Sequence, residues 1–243
     1  MGRRAAKITA SYIRNHPYAS LGFATGGTMK TYFAELVREH KQYGLDLSAV
    51  RATFNLDEYY PMKSDDIHSY HWEMYHCLFD HVNIDKRNIH ILDGSTDNPK
   101  VQCDEFEKEI KLHGGIDLQV LGIGRPPYPH IGFNERGSSF DSPTRLVELT
   151  EETRKANARF FDYKIDKVPT HALTMGLATI MEAQNILVLA CGQIKADSAR
   201  LAFEDPITEE VPASILQMHP NVTVVADKDA ASKLEMLSLA LLH

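Results

Sequence analysis

Short apolar runs alternate with longer amphipathic segments along almost the whole chain. The strand-length runs occupy residues 20–24, 52–56, 89–92, 118–121, 172–175, 186–190 and 222–226. Between most of them, apolar positions recur at three- and four-residue intervals. This spacing predicts helices over 31–42, 68–80 and 101–113, and a closing helix over 228–242. Met1-Gly2-Arg3-Arg4 leads straight into a helical pattern at Ala5-Ala6-Lys7-Ile8. Strand, crossover helix and strand in repetition predict right-handed βαβ units. The expected fold class is therefore α/β, three-layer and Rossmann-like, with a mainly parallel sheet and helices on both faces. No repeat, low-complexity tract or linker divides the sequence, so one domain is expected over 1–243. Residues 124–143 form the one long stretch without periodicity. They are rich in Pro, Gly and Ser, and a loop of that length in a compact domain is more often functional than idle.

Composition then removes several classes. A hydrophobic content of 43% and a charged content of 24% are ordinary for a soluble globular protein. The net charge of -7 argues against a nucleic-acid surface, so an anion must be met by a local cluster of cations. Cys77, Cys103 and Cys191 are widely spaced, without a CxxC, which fits a reducing, cytoplasmic setting. No apolar run approaches the roughly 20 residues that span a bilayer, and no secretory leader is expected.

Three places concentrate candidate chemistry. Ala24-Thr25-Gly26-Gly27-Thr28 follows the first strand, where glycines allow close backbone approach and the next helix offers free N–H groups. It reads equally as a bare strand–helix turn or as an anion site, and it is neither a Walker loop nor a GxGxxG fingerprint. Asp57 and Glu58 end the run 52–56; they are either a solvated strand end or a general base with its neighbour. His130 lies in the Gly- and Pro-rich loop with Asn134 and Glu135 close behind. It is either a structural histidine or a proton shuttle oriented by a carboxylate. With no HxH or HExxH spacing among the 12 histidines, no metal is expected.

Taken together, the motifs resemble one family. In order they are Ala24-Thr25-Gly26-Gly27-Thr28, Asn55-Leu56-Asp57-Glu58-Tyr59, Leu121-Gly122-Ile123-Gly124, His130-Ile131-Gly132-Phe133-Asn134-Glu135, Ala156-Asn157-Ala158-Arg159-Phe160-Phe161, Ala172-Leu173-Thr174-Met175-Gly176, Gly192-Gln193-Ile194-Lys195-Ala196, and the stretch from Pro212 to Pro220. The chain is similar over nearly its whole length to the glucosamine-6-phosphate deaminases. That resemblance implies conversion of glucosamine 6-phosphate and water to fructose 6-phosphate and ammonia, without organic cofactor or metal. It implies that Asp57 moves a proton from C2 to C1 of the opened sugar. His130 would open the ring with Glu135 orienting it, and Gly26, Gly27, Thr28, Arg159 and Lys195 would hold the phosphate. Glu58 and Asn134 would support the site. Taken singly, Arg159 and Lys195 read as solvated helix charges; the motifs give them their role.

The chain departs from the family pattern around residues 125–129, which are longer and carry three prolines, and at Arg136 where proline is usual. The loop after Thr28 is shorter, and the family's first strand is not expected before the opening helix. In allosteric hexameric members an effector phosphate is held by Ser, Arg, Lys and Thr. Ser138 and Arg145 persist here, but Val147 and Glu148 stand at the other two positions. With the chain ending at His243, this implies a non-allosteric monomer rather than a hexamer. The alternatives are a galactosamine-6-phosphate deaminase, a 6-phosphogluconolactonase-like enzyme, or a phosphosugar-binding sensor with reduced turnover.

Overall fold

Leu56 joins two sheets through one residue. Its N–H donates to the Phe23 carbonyl at 2.9 Å, and its own carbonyl accepts from the Met175 N–H at 2.6 Å. Phe23 belongs to the large sheet, and Met175 directly follows a strand of the small one. The computed structural model describes residues 1–235.

The large sheet contains β1 (Ser20–Phe23), β2 (Ala52–Asn55), β4 (Ile89–His90), β5 (Leu118–Gly122), β8 (Asn185–Ala190) and β9 (Val222–Ala226). Their order is β4-β2-β1-β5-β8-β9, and every neighbouring pair is parallel. The central strands are apolar on both sides because helices cover both faces. Leu21, Phe23, Phe54, Val120 and Val188 are fully buried, and each such side chain contributes about 1.5–3 kcal/mol relative to exposure. α1 (Gly2–Asn15) packs on α2 (Gly27–Tyr43). Right-handed crossovers put these two on one face and α4 (Pro99–Leu112) and α7 (Ala196–Phe203) on the other. From β1 the chain winds first towards β4, then returns to β5 and onward to β9. The order therefore reverses between β1 and β5, and the crevice beyond their carboxyl ends is where such sheets bind ligands.

The small sheet corrects one expectation. The run 172–175 does form a strand, β7 (His171–Thr174), but it lies outside the parallel sheet. It pairs antiparallel with β3 (Asp57–Tyr60) on one side and β6 (Arg145–Glu148) on the other. Asp57 is thus the first residue of a strand, opposite Thr174, and not a solvated strand end. A second, smaller core of Tyr59, Phe133, Leu149, Phe161, Val168 and Ala172 packs against this sheet.

The remaining helices are α3 (Tyr70–Cys77), α5 (Glu151–Asn157) and α6 (Leu177–Met181). Of the expected helices, 31–42 begins earlier, at Gly27, because Gly26 at φ 105 turns the chain into it. The expected 68–80 shortens to Tyr70–Cys77, where the Ser69 hydroxyl caps the Trp72 N–H. The expected closing helix over 228–242 is replaced by turns over 228–233, such as Leu234 N–H to Ala231 C=O at 3.0 Å; its remainder, 236–242, lies outside the described residues. No helix among the described residues is long and apolar enough to cross a membrane.

Candidate active site

Residues from both sheets converge on the crevice beyond β1 and β5. After β1, Gly26 adopts φ 105 and starts α2. A side chain built at Gly26 or Gly27 would meet nothing within 4 Å, so this cradle is open. Thr28 follows in the first turn of α2, half-buried. The free N–H groups of that turn and its dipole favour an anion.

Three cations gather beyond the carboxyl end of β5. Lys195 sits in the short helical turn Gln193–Lys195 after β8, and its Nζ donates to the Ile123 carbonyl at 2.6 Å. Asp227 fixes the start of that turn by accepting the Gly192 N–H at 3.0 Å. Burial, and then Arg125 and Arg159, lower the Lys195 pKa to about 8. Arg159, in the turn Ala158–Phe160, stacks 4.6 Å over the Phe160 ring, and its pKa is lowered by burial and then by Arg125. Among the described residues none of the three has a salt-bridge partner. Unpaired cations that depress one another's protonation form a site for an anion. Sequence reasoning misses Arg125, because one arginine ahead of three prolines carries no spacing signal.

The acid side of the site is built from β3 and α3. Asp57 is 7% exposed, and its carboxylate makes no hydrogen bond among the described residues. Burial, then Glu58 and Glu73, push its pKa up to about 8. Glu58 is turned away from this role. It accepts from the N–H groups of Tyr59, Tyr70 and His71 at 2.8–3.0 Å and so anchors the start of α3. Its pKa is pushed up to about 7 by burial, against the pull of those donors. Glu73 escapes sequence reasoning because it is one polar residue of an amphipathic helix. Its Oε1 accepts the Gly26 N–H at 3.2 Å, so a carboxylate reaches the cradle from α3.

The long loop brings His130 over the same crevice. The Gly124 N–H donates to the His130 carbonyl at 2.7 Å, closing the loop neck. Burial, and then Lys195, lower the His130 pKa to about 4, against a hydrogen bond to the Tyr128 backbone. The imidazole is therefore neutral at physiological pH. Gly132, at φ 56, passes close to Asp57: a Cβ there would lie 3.4 Å from Asp57 Oδ2. Asn134 is fully buried and locks the loop, donating to the Ile131 and Met175 carbonyls and accepting from Arg145 Nη1 at 2.7 Å. Arg145 also reaches Ser138 Oγ at 3.2 Å. No hydrogen bond joins Glu135 to His130 among the described residues. One Glu135 oxygen accepts from the Thr150 N–H at 2.9 Å and the other is buried without a partner. Gly26, Gly27, Thr28, Asp57, His130 and Lys195 thus border one crevice with Arg125 and Arg159, while Glu58, Asn134 and Glu135 bind its walls.

Comparison with known proteins bears on this geometry. The family model described as glucosamine-6-phosphate isomerases/6-phosphogluconolactonase matches residues 1–225. A glucosamine-6-phosphate deaminase of Clostridium botulinum (strain Kyoto / Type A2) is 46% identical over 236 residues, covering 97% of this chain and 95% of that protein. One from Geobacillus sp. (strain WCH70) is 47% identical over 232 residues, covering 96% and 91%. A solved monomeric glucosamine-6-phosphate deaminase superposes with a TM-score of 0.91 at 44% identity, covering 96% and 95% of the two chains. The 6-phosphogluconolactonase from Trypanosoma cruzi gives 0.71 at 19% identity, covering 96% and 94%, a likeness of fold alone.

Proposed function

This chain belongs to the glucosamine-6-phosphate isomerase/6-phosphogluconolactonase family, and on that premise we propose that it is a glucosamine-6-phosphate deaminase. The observation that carries the reading is the buried Asp57 carboxylate, which has no hydrogen-bond partner among the described residues, in a crevice that also gathers three cations. A lactonase needs no base beneath C2 of its substrate, whereas an aldose–ketose shift requires one.

The chemistry follows from the side chains. The phosphate lies in the Gly26–Thr28 cradle on the N–H groups of Gly27 and Thr28, the Gly26 N–H being held by Glu73, and is neutralised by Arg159, Lys195 and Arg125. Neutral His130 takes the anomeric hydroxyl proton and returns one to the ring oxygen, opening the pyranose to an aldehyde. Ionised Asp57 removes the C2 proton while the C1 carbonyl oxygen gains the proton lost by the 2-ammonium group, giving an enolamine across C1 and C2. It delivers the same proton to C1, which leaves an iminium carbon at C2. Water adds there, the C–N bond breaks, and ammonia and fructose 6-phosphate are released. Fixing the phosphate at one end of the sugar sets the distance from C2 to Asp57, which is how remote binding supports the chemical step.

Regulation and assembly follow the same logic. Val147 and Glu148 place an apolar group and a negative charge on β6, where a second phosphate needs cations. The enzyme works as a monomer, as supported by the similar monomeric deaminase, and without a second phosphate site its kinetics are hyperbolic. Its cysteine usage fits action in the cytoplasm.

A coupled assay for ammonia with glucosamine 6-phosphate, galactosamine 6-phosphate and 6-phosphogluconolactone tests the reading. Ammonia release from the first, exceeding that from its C4 epimer, is the expected result. Lactone hydrolysis without ammonia release replaces the proposal with the lactonase, and binding without turnover replaces it with a sensor.

A further inference from the structure

A second cluster of ionisable side chains lies away from the crevice, where the C-terminus of α4 meets the edge strand β4. His90 belongs to β4, the outermost strand of the large sheet. Glu109 belongs to the last turn of α4, and His113, four residues after Glu109, directly follows that helix. Each of the three offers a nitrogen or oxygen within 4.8 Å of the others. Nearby contacts mark this as the end of the sheet opposite the crevice. The His113 carbonyl accepts from Arg51 Nη1 at 2.7 Å and from Ser20 Oγ at 3.5 Å, and these residues precede or begin β2 and β1.

Three observations separate this cluster from an ordinary polar patch. His90 Nε2 is buried and has no hydrogen-bond partner among the described residues, and an orphaned buried nitrogen is rare enough to require a reason. His113 Nδ1 lies 2.9 Å from the Glu109 carbonyl. A carbonyl only accepts, so Nδ1 carries the hydrogen and Nε2 keeps its lone pair. A backbone acceptor that fixes the tautomer in this way is the usual support of a metal-binding imidazole. Finally, His90 and Glu109 line a cleft of about 390 Å³, which gives an ion and its water a route in.

We propose that His90, Glu109 and His113 bind a divalent transition-metal ion of the zinc class, with water in the fourth position. Two imidazoles and a carboxylate suit such an ion better than magnesium or calcium, which prefer oxygen donors throughout. Zinc–nitrogen bonds of about 2.0–2.1 Å place tetrahedral donors roughly 3.3 Å apart, so the cluster closes by small side-chain rotations. The His90 ring stacks 4.9 Å from Phe54 and lies tilted 5.0 Å from the His113 ring, which holds it at the rim of the cluster. The bound ion ties a two-residue edge strand to the helix across it and stabilises that edge; it takes no part in deamination.

The test uses the full chain stripped of metal and titrated with Zn²⁺ by calorimetry and with Co²⁺ by its visible d–d absorption. One ion per chain is expected, with a higher Tm in its presence and unchanged deaminase turnover. His90→Gln and Glu109→Gln should each weaken binding tenfold or more and abolish the Tm rise. Glu109→Gln keeps the size of a side chain that is 44% exposed, so it decides the matter if His90→Gln does not fold. Binding that survives Glu109→Gln undiminished, binding that is lost only on Cys191→Ser, or no binding by the wild type would overturn the assignment.

Discussion

The imidazole of His130 lies so close to the α-carbon of Gly124 that a methyl group there would stand 2.5 Å from its Nδ1. Only glycine leaves room for the ring in this seat. Gly124→Ala is therefore expected to push His130 out of reach of the anomeric hydroxyl and lower kcat at least about tenfold, while the phosphate contacts hold KM within a few-fold. Steady-state kinetics checks this; normal kcat in the Gly124→Ala enzyme removes ring opening by His130 from the mechanism.

The pH dependence should be a narrow bell in kcat/KM. Asp57 must be ionised to accept the C2 proton, so activity rises as pH approaches its pKa of about 8. Lys195 must be protonated to hold phosphate, so activity falls as pH passes its own value of about 8. Arginine stays charged across this range. Lys195→Arg should extend the alkaline limb to higher pH and leave the acid limb in place. An unchanged alkaline limb assigns that limb to another group.

Glu73 raises the Asp57 pKa through its charge. Glu73→Gln removes the charge and keeps the shape, so the acid limb should move to lower pH while the alkaline limb stays. A pH–rate profile superimposable on the wild type would show that Glu73 serves only to hold the Gly26 loop.

Asp57→Asn should lower kcat at least about a hundredfold with little change in KM. It should also change stability in a pH-dependent way. Unfolded Asp57 ionises in the ordinary carboxylate range, whereas folded Asp57 does so only near pH 8. The aspartate therefore stabilises the fold least once pH has risen from the first value through the second. The Asp57→Asn variant is expected to melt above the wild type at pH 8 and together with it near pH 4, as differential scanning calorimetry can record.

Arg125→Ala and Arg159→Ala should each raise KM, by the loss of a charge-assisted contact of roughly 1.5–3 kcal/mol, with kcat less affected. Unphosphorylated glucosamine should be a very poor substrate. Equal use of glucosamine and its 6-phosphate would move the phosphate site elsewhere.

Most of the large sheet was legible because its strands are apolar on both faces, so runs such as 52–56 and 186–190 stand out. The small sheet was not. β3 reads Asp-Glu-Tyr-Tyr and β6 reads Arg-Leu-Val-Glu, too short and too polar for a strand pattern. β7 was visible as a strand, but Ala172 and Leu173 are buried whichever sheet they join, so burial could not say which. The same limit applies to the site. Collinear motifs marked Asp57, His130, Arg159 and Lys195, whereas Arg125 and Glu73 come near them only through folding.

The one-residue joint at Leu56 has a consequence for how such an enzyme can diversify. Asp57 follows it directly, so the base is anchored by a bond into each sheet and cannot drift with either one alone. β6 lies two strands away, at the free edge of the small sheet, with Leu146 and Glu148 facing solvent. Changes along that edge can add a partner surface or an effector contact without moving the proton-transfer group. A lineage built on this joint can thus gain or shed control while its chemistry is inherited intact.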